Sequence, residues 1–183
     1  MPTTLTQTHS RPHTLPGRDL PTVLVVYESA WGNTRQIAEA IGDGFGAGAT
    51  STVVPVASAP PLDQVHADLL VVGAPTHAFG LSRPGTREDA HERGGAELGT
   101  GVREWLDAGT VASGRLAATF DTHVRHPNLP GTASRAAARK LRHLGYEIVV
   151  EPEMFWVDGM EGPLLVGEVE RARAWGAELA RRV

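Results

Sequence analysis

The stretch that decides the fold runs from Val23 to Ile41 and reads VLVVYESAWGNTRQIAEAI. It opens on an apolar, β-branched run, Val23 to Tyr27, short enough to be a buried strand. Glu28 to Thr34 then brings hydroxyl, amide and glycine chemistry. After Thr34 the period changes. Ile37, Ala38 and Ile41 recur at helical spacing, with Arg35, Gln36 and Glu39 on the wet side. Strand, short loop and helix in that order set a helix N-terminus at the carboxyl end of a strand. The first helical N–H groups lack partners and the helix dipole is positive there, so the junction is an anion site.

The side chains of the loop suit a phosphate. Ser29 and Thr34 offer hydroxyl protons, Asn33 an amide, and Gly32 lets the backbone approach closely. The turn holds no Lys and the pattern GxxxxGK[ST] is absent, which argues against a nucleoside triphosphate with its metal. A phosphomonoester held by neutral donors fits better. An ordinary N-capped helix would need only one such side chain.

The run Val25-Val26-Tyr27-x-Ser29-x-x-Gly32-x-Thr34-x-x-x-Ala38-x-x-Ile41 resembles the signature of the flavodoxin family at each specified position. The resemblance implies an α/β fold, a flavodoxin-like doubly wound three-layer sandwich around a five-stranded parallel sheet of order 2-1-3-4-5. It also implies that the loop, Ser29, Ala30, Trp31, Gly32, Asn33 and Thr34, binds the phosphate of FMN.

The rest of the chain is consistent with that plan. Its 183 residues, 41% hydrophobic, fit one domain over 21–183 behind a flexible tail, 1–20, rich in Thr, Pro and His. That tail lacks the apolar core of a secretory signal, so the expected location is the cytoplasm. His9 and His13 make only a weak metal pair in a Pro-containing coil. Cysteine is absent, which excludes disulfides, thiol redox chemistry and Cys-held metal, so electron chemistry must come from a cofactor. A net charge of −4 gives no basic footprint for nucleic acid. No apolar run approaches the ~20 residues of a membrane span.

Further strands are expected at Thr52–Val56, Leu69–Gly73, Leu116–Phe120 and Tyr146–Val150, and helices at Ser134–Leu144 and Leu165–Arg182. Pro55 suits an edge strand. Gly42 to Gly48 follows a helix, so it reads as a helix end and turn instead of a dinucleotide motif. The polar stretch 82–101 reads mainly as a solvated charged face, with Arg83 or Arg87 as lesser candidates for a partner or substrate contact. The basic helix 134–144 reads as a solvated face or a dock for an acidic redox partner.

In a doubly wound sheet ligands lie outside the carboxyl ends of strands, where strand order reverses. Two more loops therefore flank the ring, one with Pro75, Thr76, His77 and Phe79, the other with Thr122, His123, Val124 and Arg125. The second lacks the Tyr or Trp that flavodoxins often place there. Asp121, His123 and His126 are alternatively metal ligands, and Phe79 alternatively core. The expected function is electron carriage by non-covalent FMN between redox partner proteins or to a small-molecule acceptor, with no residue assigned as catalytic. The alternatives are an NAD(P)H:quinone-type oxidoreductase, with His77 or His123 near the flavin ring, and a flavin-free interaction module. A monomer or homodimer is expected, without nucleic acid or membrane.

Overall fold

A computed structural model describes residues 20–77, 79–111, 114–125 and 131–183. The expected tail, apart from Leu20, and the candidate ligand His126 lie outside the described residues. Strand β1 (Thr22–Tyr27) leads through the loop into helix α1 (Asn33–Gly44), where the sequence changes period. Strands β2 (Thr50–Pro55) and β3 (Leu69–Pro75) follow, then helices α2 (Pro84–Glu92) and α3 (Val102–Asp107). The chain continues through β4 (Leu116–Val124), α4 (Ala133–His143), β5 (Glu147–Ile148), β6 (Glu153–Val157) and α5 (Glu168–Leu179). The sheet is parallel with order β2-β1-β3-β4-β5, and β6 also pairs with β4. Among the described residues no helix is long and apolar enough to cross a membrane.

Residue alternation in the central strands builds the three layers. Leu69 and Val71 point into a core with Ile37, Ile41, Trp175 and Leu179, which belong to α1 and α5. Leu70 and Val72 point the other way, into a core with Trp105, Leu106 and Leu141 from α3 and α4. Because β3 is covered on both faces it is apolar throughout, as buried parallel strands are.

Two expectations about strands need correction. The fifth strand is split: β5 and β6 both lie beside β4, with Pro152, which has no N–H for the ladder, between them. The fourth strand runs on to Val124 instead of ending at Phe120, because β6 supplies it with a partner as far as Val124. Thr122, His123 and Val124 are therefore strand residues, not loop residues. Helix α5 is also shorter than expected, starting after Gly167 in the left-handed region (φ 88°).

The glycines at the end of α1 have a packing role beyond termination. A Cβ on Gly44 would come within 2.9 Å of the Gly176 Cα and collide with the Arg173 carbonyl oxygen. A Cβ on Gly176 would meet the Ile41 carbonyl in the same way. The backbones of α1 and α5 thus touch at this crossing, and α1 is held at a fixed height over the sheet. That fixes where its N-terminus opens.

Candidate functional site

Gly32 takes the left-handed conformation (φ 87°) that turns the loop into α1. Its N–H donates to the Ser29 hydroxyl oxygen at 3.0 Å, which keeps the turn tight and leaves the Ser29 proton free to donate. No side chain caps α1 and its first turn carries no acid, so the leading N–H groups face outward without a partner among the described residues. Helix α4 is the instructive contrast. Ala133 N–H donates to Thr76 Oγ1 (2.9 Å), Ser134 N–H to Asp121 Oδ2 (2.9 Å) and Arg135 N–H to Thr132 Oγ1 (3.3 Å). Both helix N-termini open toward the carboxyl edge of the sheet. One is closed by protein groups, and the other is not.

A cleft of ≈ 220 Å³ opens beside α1, lined by Ser29, Ala30, Trp31, Asn33 and Thr34 from the first loop. Pro75, Thr76 and His77 from the end of β3, and Thr122, His123 and Val124 from the end of β4, complete its walls. The three expected segments therefore meet at one place. Gly32 shapes the loop without lining the cleft, while Phe79 and exposed Arg125 stand outside it. Phe79 is half exposed (55%) and not in the core; it borders a neighbouring groove instead. Asn33 lines the cleft and has a second role. Its amide donates to the Glu161 carbonyl (2.9 Å), clasping the loop to the 158–163 turn. Thr34 shares a hydrogen bond with Thr122, Oγ1 to Oγ1 at 2.7 Å, so one proton of the pair remains to be donated.

The rim includes residues absent from the sequence-based expectation: Thr86 and Asp89 of α2 with Arg93 just after it, and Val157 at the end of β6 with Met160 beyond. Trp31 Nε1 is buried without a partner among the described residues, and the Trp31 ring lies 6.4 Å from that of His77, tilted by 30°. Burial, and then the charge of Arg87, hold the His77 imidazole below its ordinary titration range, so it is neutral at neutral pH. On the floor, fully buried Asp121 accepts a hydrogen bond from His123 Nδ1 at 2.6 Å, while its other oxygen takes Ser134 N–H and Oγ–H. His123 packs edge-on against Trp156, centroids 4.6 Å apart. Its Nε2 is left without a partner among the described residues. Asp121 and His123 thus bind each other, and among the described residues no group of three or more potential metal ligands converges.

Behind the loop lies a buried ionic cluster. Arg87 is only 4% exposed; it donates to Ser82 Oγ (3.0 Å) and the Leu98 carbonyl (3.2 Å) and pairs with Glu104 at 3.1 Å. Glu28, 1% exposed, accepts the Val102 N–H at 2.9 Å. The charged stretch after residue 82 is therefore partly an internal brace. Glu28 stands two positions after Val26, which points into the core, so continued alternation past the end of β1 carries it inward as well.

Burial pushes the Glu28 carboxyl above its ordinary value of 4.5, against the pull of Ser82, the Val102 N–H and Arg87. The raised value means that the folded chain binds this proton more tightly than the unfolded chain. The contribution to stability is full below the unfolded value and is lost as pH rises through the folded one. Glu28→Gln removes that dependence. Urea midpoints are expected to show the variant gaining on the wild type as pH rises above about 4.5, the ordinary value of the carboxyl. A difference that stays flat or moves the other way would contradict the assignment.

Comparison with known proteins comes to the same place. Residues 25–97 match the flavodoxin family model. No curated protein matches the sequence. Oxidised flavodoxin 2 from Bacillus cereus superposes with a TM-score of 0.66 at 20% identity, covering 88% of this chain and 99% of that one. Flavodoxin 1 of the same organism gives 0.64 at 20%, again covering 88% and 99%. A flavodoxin described as WrbA-like, from Agrobacterium tumefaciens, gives 0.58 at 19%, covering 88% and 96%. At these identities the likeness is one of fold.

Proposed function

We propose, for a chain that resembles the flavodoxin family in both signature and fold, that it binds FMN non-covalently and serves as an FMN-dependent redox protein. The observation that carries this is the uncapped N-terminus of α1, set against the fully capped one of α4 at the same sheet edge. An uncapped helix start facing a cleft is suited to a phosphate, since its N–H groups and dipole gain a partner only when an anion arrives.

The residues present fit the group. Ser29 Oγ–H, the Thr34–Thr122 hydroxyl pair and the first N–H groups of α1 would hold the phosphate. Trp31, His77, Val124 and Val157 offer apolar and aromatic wall for a planar ring, and Trp31 Nε1–H, without an acceptor among the described residues, is a donor that a ligand would engage. When bound, FMN supplies one- and two-electron chemistry. The chain's own part is to seat it, exclude water from one side and present hydrogen-bonding groups. Neutral His77 adds no charge to the cleft, and His123 is fixed by Asp121 with Nδ1 engaged.

Electron carriage between partners is the first reading. The Asp121–His123 pair favours a second, a reductase, because an imidazole held by a buried carboxylate can take or give a proton at Nε2. The test is to add FMN to the purified full chain and follow visible absorbance and flavin fluorescence. One equivalent bound, with a shifted spectrum and quenched emission, is expected; a chain that stays colourless overturns the proposal. Steady turnover of NADPH with a quinone would select the second reading.

A further inference from the structure

Next to the cleft lies a larger groove of ≈ 710 Å³, bounded by the His77–Gly80 turn, α3 and α4. His77 and Thr86 line both spaces, so an occupant of one abuts an occupant of the other. The chain is acidic overall, at −4, yet Arg83, Arg103, Arg139 and Lys140 line this groove against the single carboxylate of Asp107. Asp107 is paired with Lys140. Arg103 donates to the Ser82 carbonyl at 2.8 Å and the Leu81 carbonyl at 2.5 Å, which holds its guanidinium in place without neutralising it. Exposed Arg83 and Arg139 have no ion-pair partner among the described residues.

The turn beside these cations is unusual. His77 N–H donates to the Gly80 carbonyl (2.9 Å) and Gly80 N–H to the His77 carbonyl (3.0 Å), so Phe79 sits at a tight tip. Its φ is 71°, a left-handed value that a bulky side chain adopts only at a cost. Gly131 packs on the Phe79 backbone, at 3.4 Å from an ideal Cβ to the Phe79 carbonyl carbon, and buttresses the tip. The result is an apolar ring displayed to solvent, 55% exposed, at the border of a cationic groove.

From this juxtaposition we propose that the groove is a second ligand site, taking a phosphorylated nucleotide whose phosphates meet Arg83, Arg139 and Lys140 and whose base lies on Phe79. Guanidinium groups match phosphate oxygens in pairs, and an exposed aromatic ring stacks on any base. The volume falls within the ~300–1,000 Å³ of small-ligand sites. A folded acidic protein would engage a flat or convex patch more readily than this recess. The proposal rests on the FMN reading only for the side-by-side arrangement of the two ligands.

The experiment is isothermal titration of adenosine 2′,5′-bisphosphate and of NADPH into the full chain, both FMN-free and FMN-loaded. Both nucleotides are expected to bind both forms, more weakly as salt is raised. Arg83→Glu and Arg139→Glu should each weaken binding about tenfold or more. Phe79→Ala should weaken it by a smaller factor. Arg135→Glu, on the same helix but outside the groove, should leave it unchanged. No binding at millimolar nucleotide, binding that FMN displaces, or binding indifferent to the two charge reversals would each overturn the assignment, even if an acidic protein were captured on this face. Failure of the FMN reading would show separately, as a colourless chain after FMN addition, while the FMN-free titration still reports on the groove.

Discussion

Thr34→Glu is expected to lower FMN affinity by about a thousandfold or more while the chain stays folded. Thr34 stands in the first turn of α1 and lines the cleft, so the new carboxylate would lie among the N–H groups proposed to receive the phosphate. Two unit charges ~4 Å apart at an effective dielectric of ~20 repel by about 4 kcal/mol, and a phosphomonoester carries ~1.5–2 charges at neutral pH. The carboxylate would in addition occupy the free N–H groups itself. Loss of the hydroxyl shared with Thr122 adds only about 1 kcal/mol, so repulsion decides the outcome. The helix does not suffer electrostatically, because an acid in the first turn complements its dipole by ~0.3–1 kcal/mol. Thr34→Ser, which keeps the hydroxyl, should bind within a few-fold of wild type. Titration by quenching of flavin fluorescence, with far-ultraviolet circular dichroism as the folding control, reads all three proteins. A folded Glu variant within tenfold of wild type would move the phosphate elsewhere.

What made this site legible was periodicity. The change from period two to period 3.6 across Glu28–Thr34 places a helix N-terminus at a strand end, and the apolar runs at Leu69 and Leu116 place two further strand ends beside it. Side-chain partners were less legible because they depend on elements far apart in the chain. Asn33 reads as a free amide until Glu161, 128 positions away, accepts from it. Arg87 reads as solvated because charge normally argues for water; only the approach of Ser82, Leu98 and Glu104 makes its burial tolerable. The far end of β4 was hidden for a similar reason. Asp121-Thr122-His123 is too polar to suggest a strand; Thr122 finds its partner on α1, Asp121 on α4, and His123 Nδ1 turns to Asp121.

Asp121→Ala is expected to cost about 3–5 kcal/mol of stability, a fall of roughly 6–20 °C in melting temperature for a domain of this size. One oxygen of this fully buried carboxylate faces His123 Nδ1, and the other takes both donors of Ser134. Truncation leaves those groups without the acceptor and removes the anion from the start of α4, whose dipole it complements. Asp121→Asn separates the structural role from the chemical one. If the amide oxygen stays with Ser134, its NH₂ must face His123 Nδ1. A neutral imidazole then has to bare Nδ1 and carry its proton on Nε2. Nitrogen-15 NMR of the imidazole should therefore show the Nδ1–H tautomer in the wild type and the Nε2–H tautomer in the Asn variant, with most of the stability retained. A melting temperature within about a degree of wild type for Asp121→Ala would deny the carboxylate its bracing role. An unchanged tautomer in Asp121→Asn would show that something other than Asp121 sets the tautomer of His123, and the cleft floor would then hold no imidazole oriented by a carboxylate for proton handling.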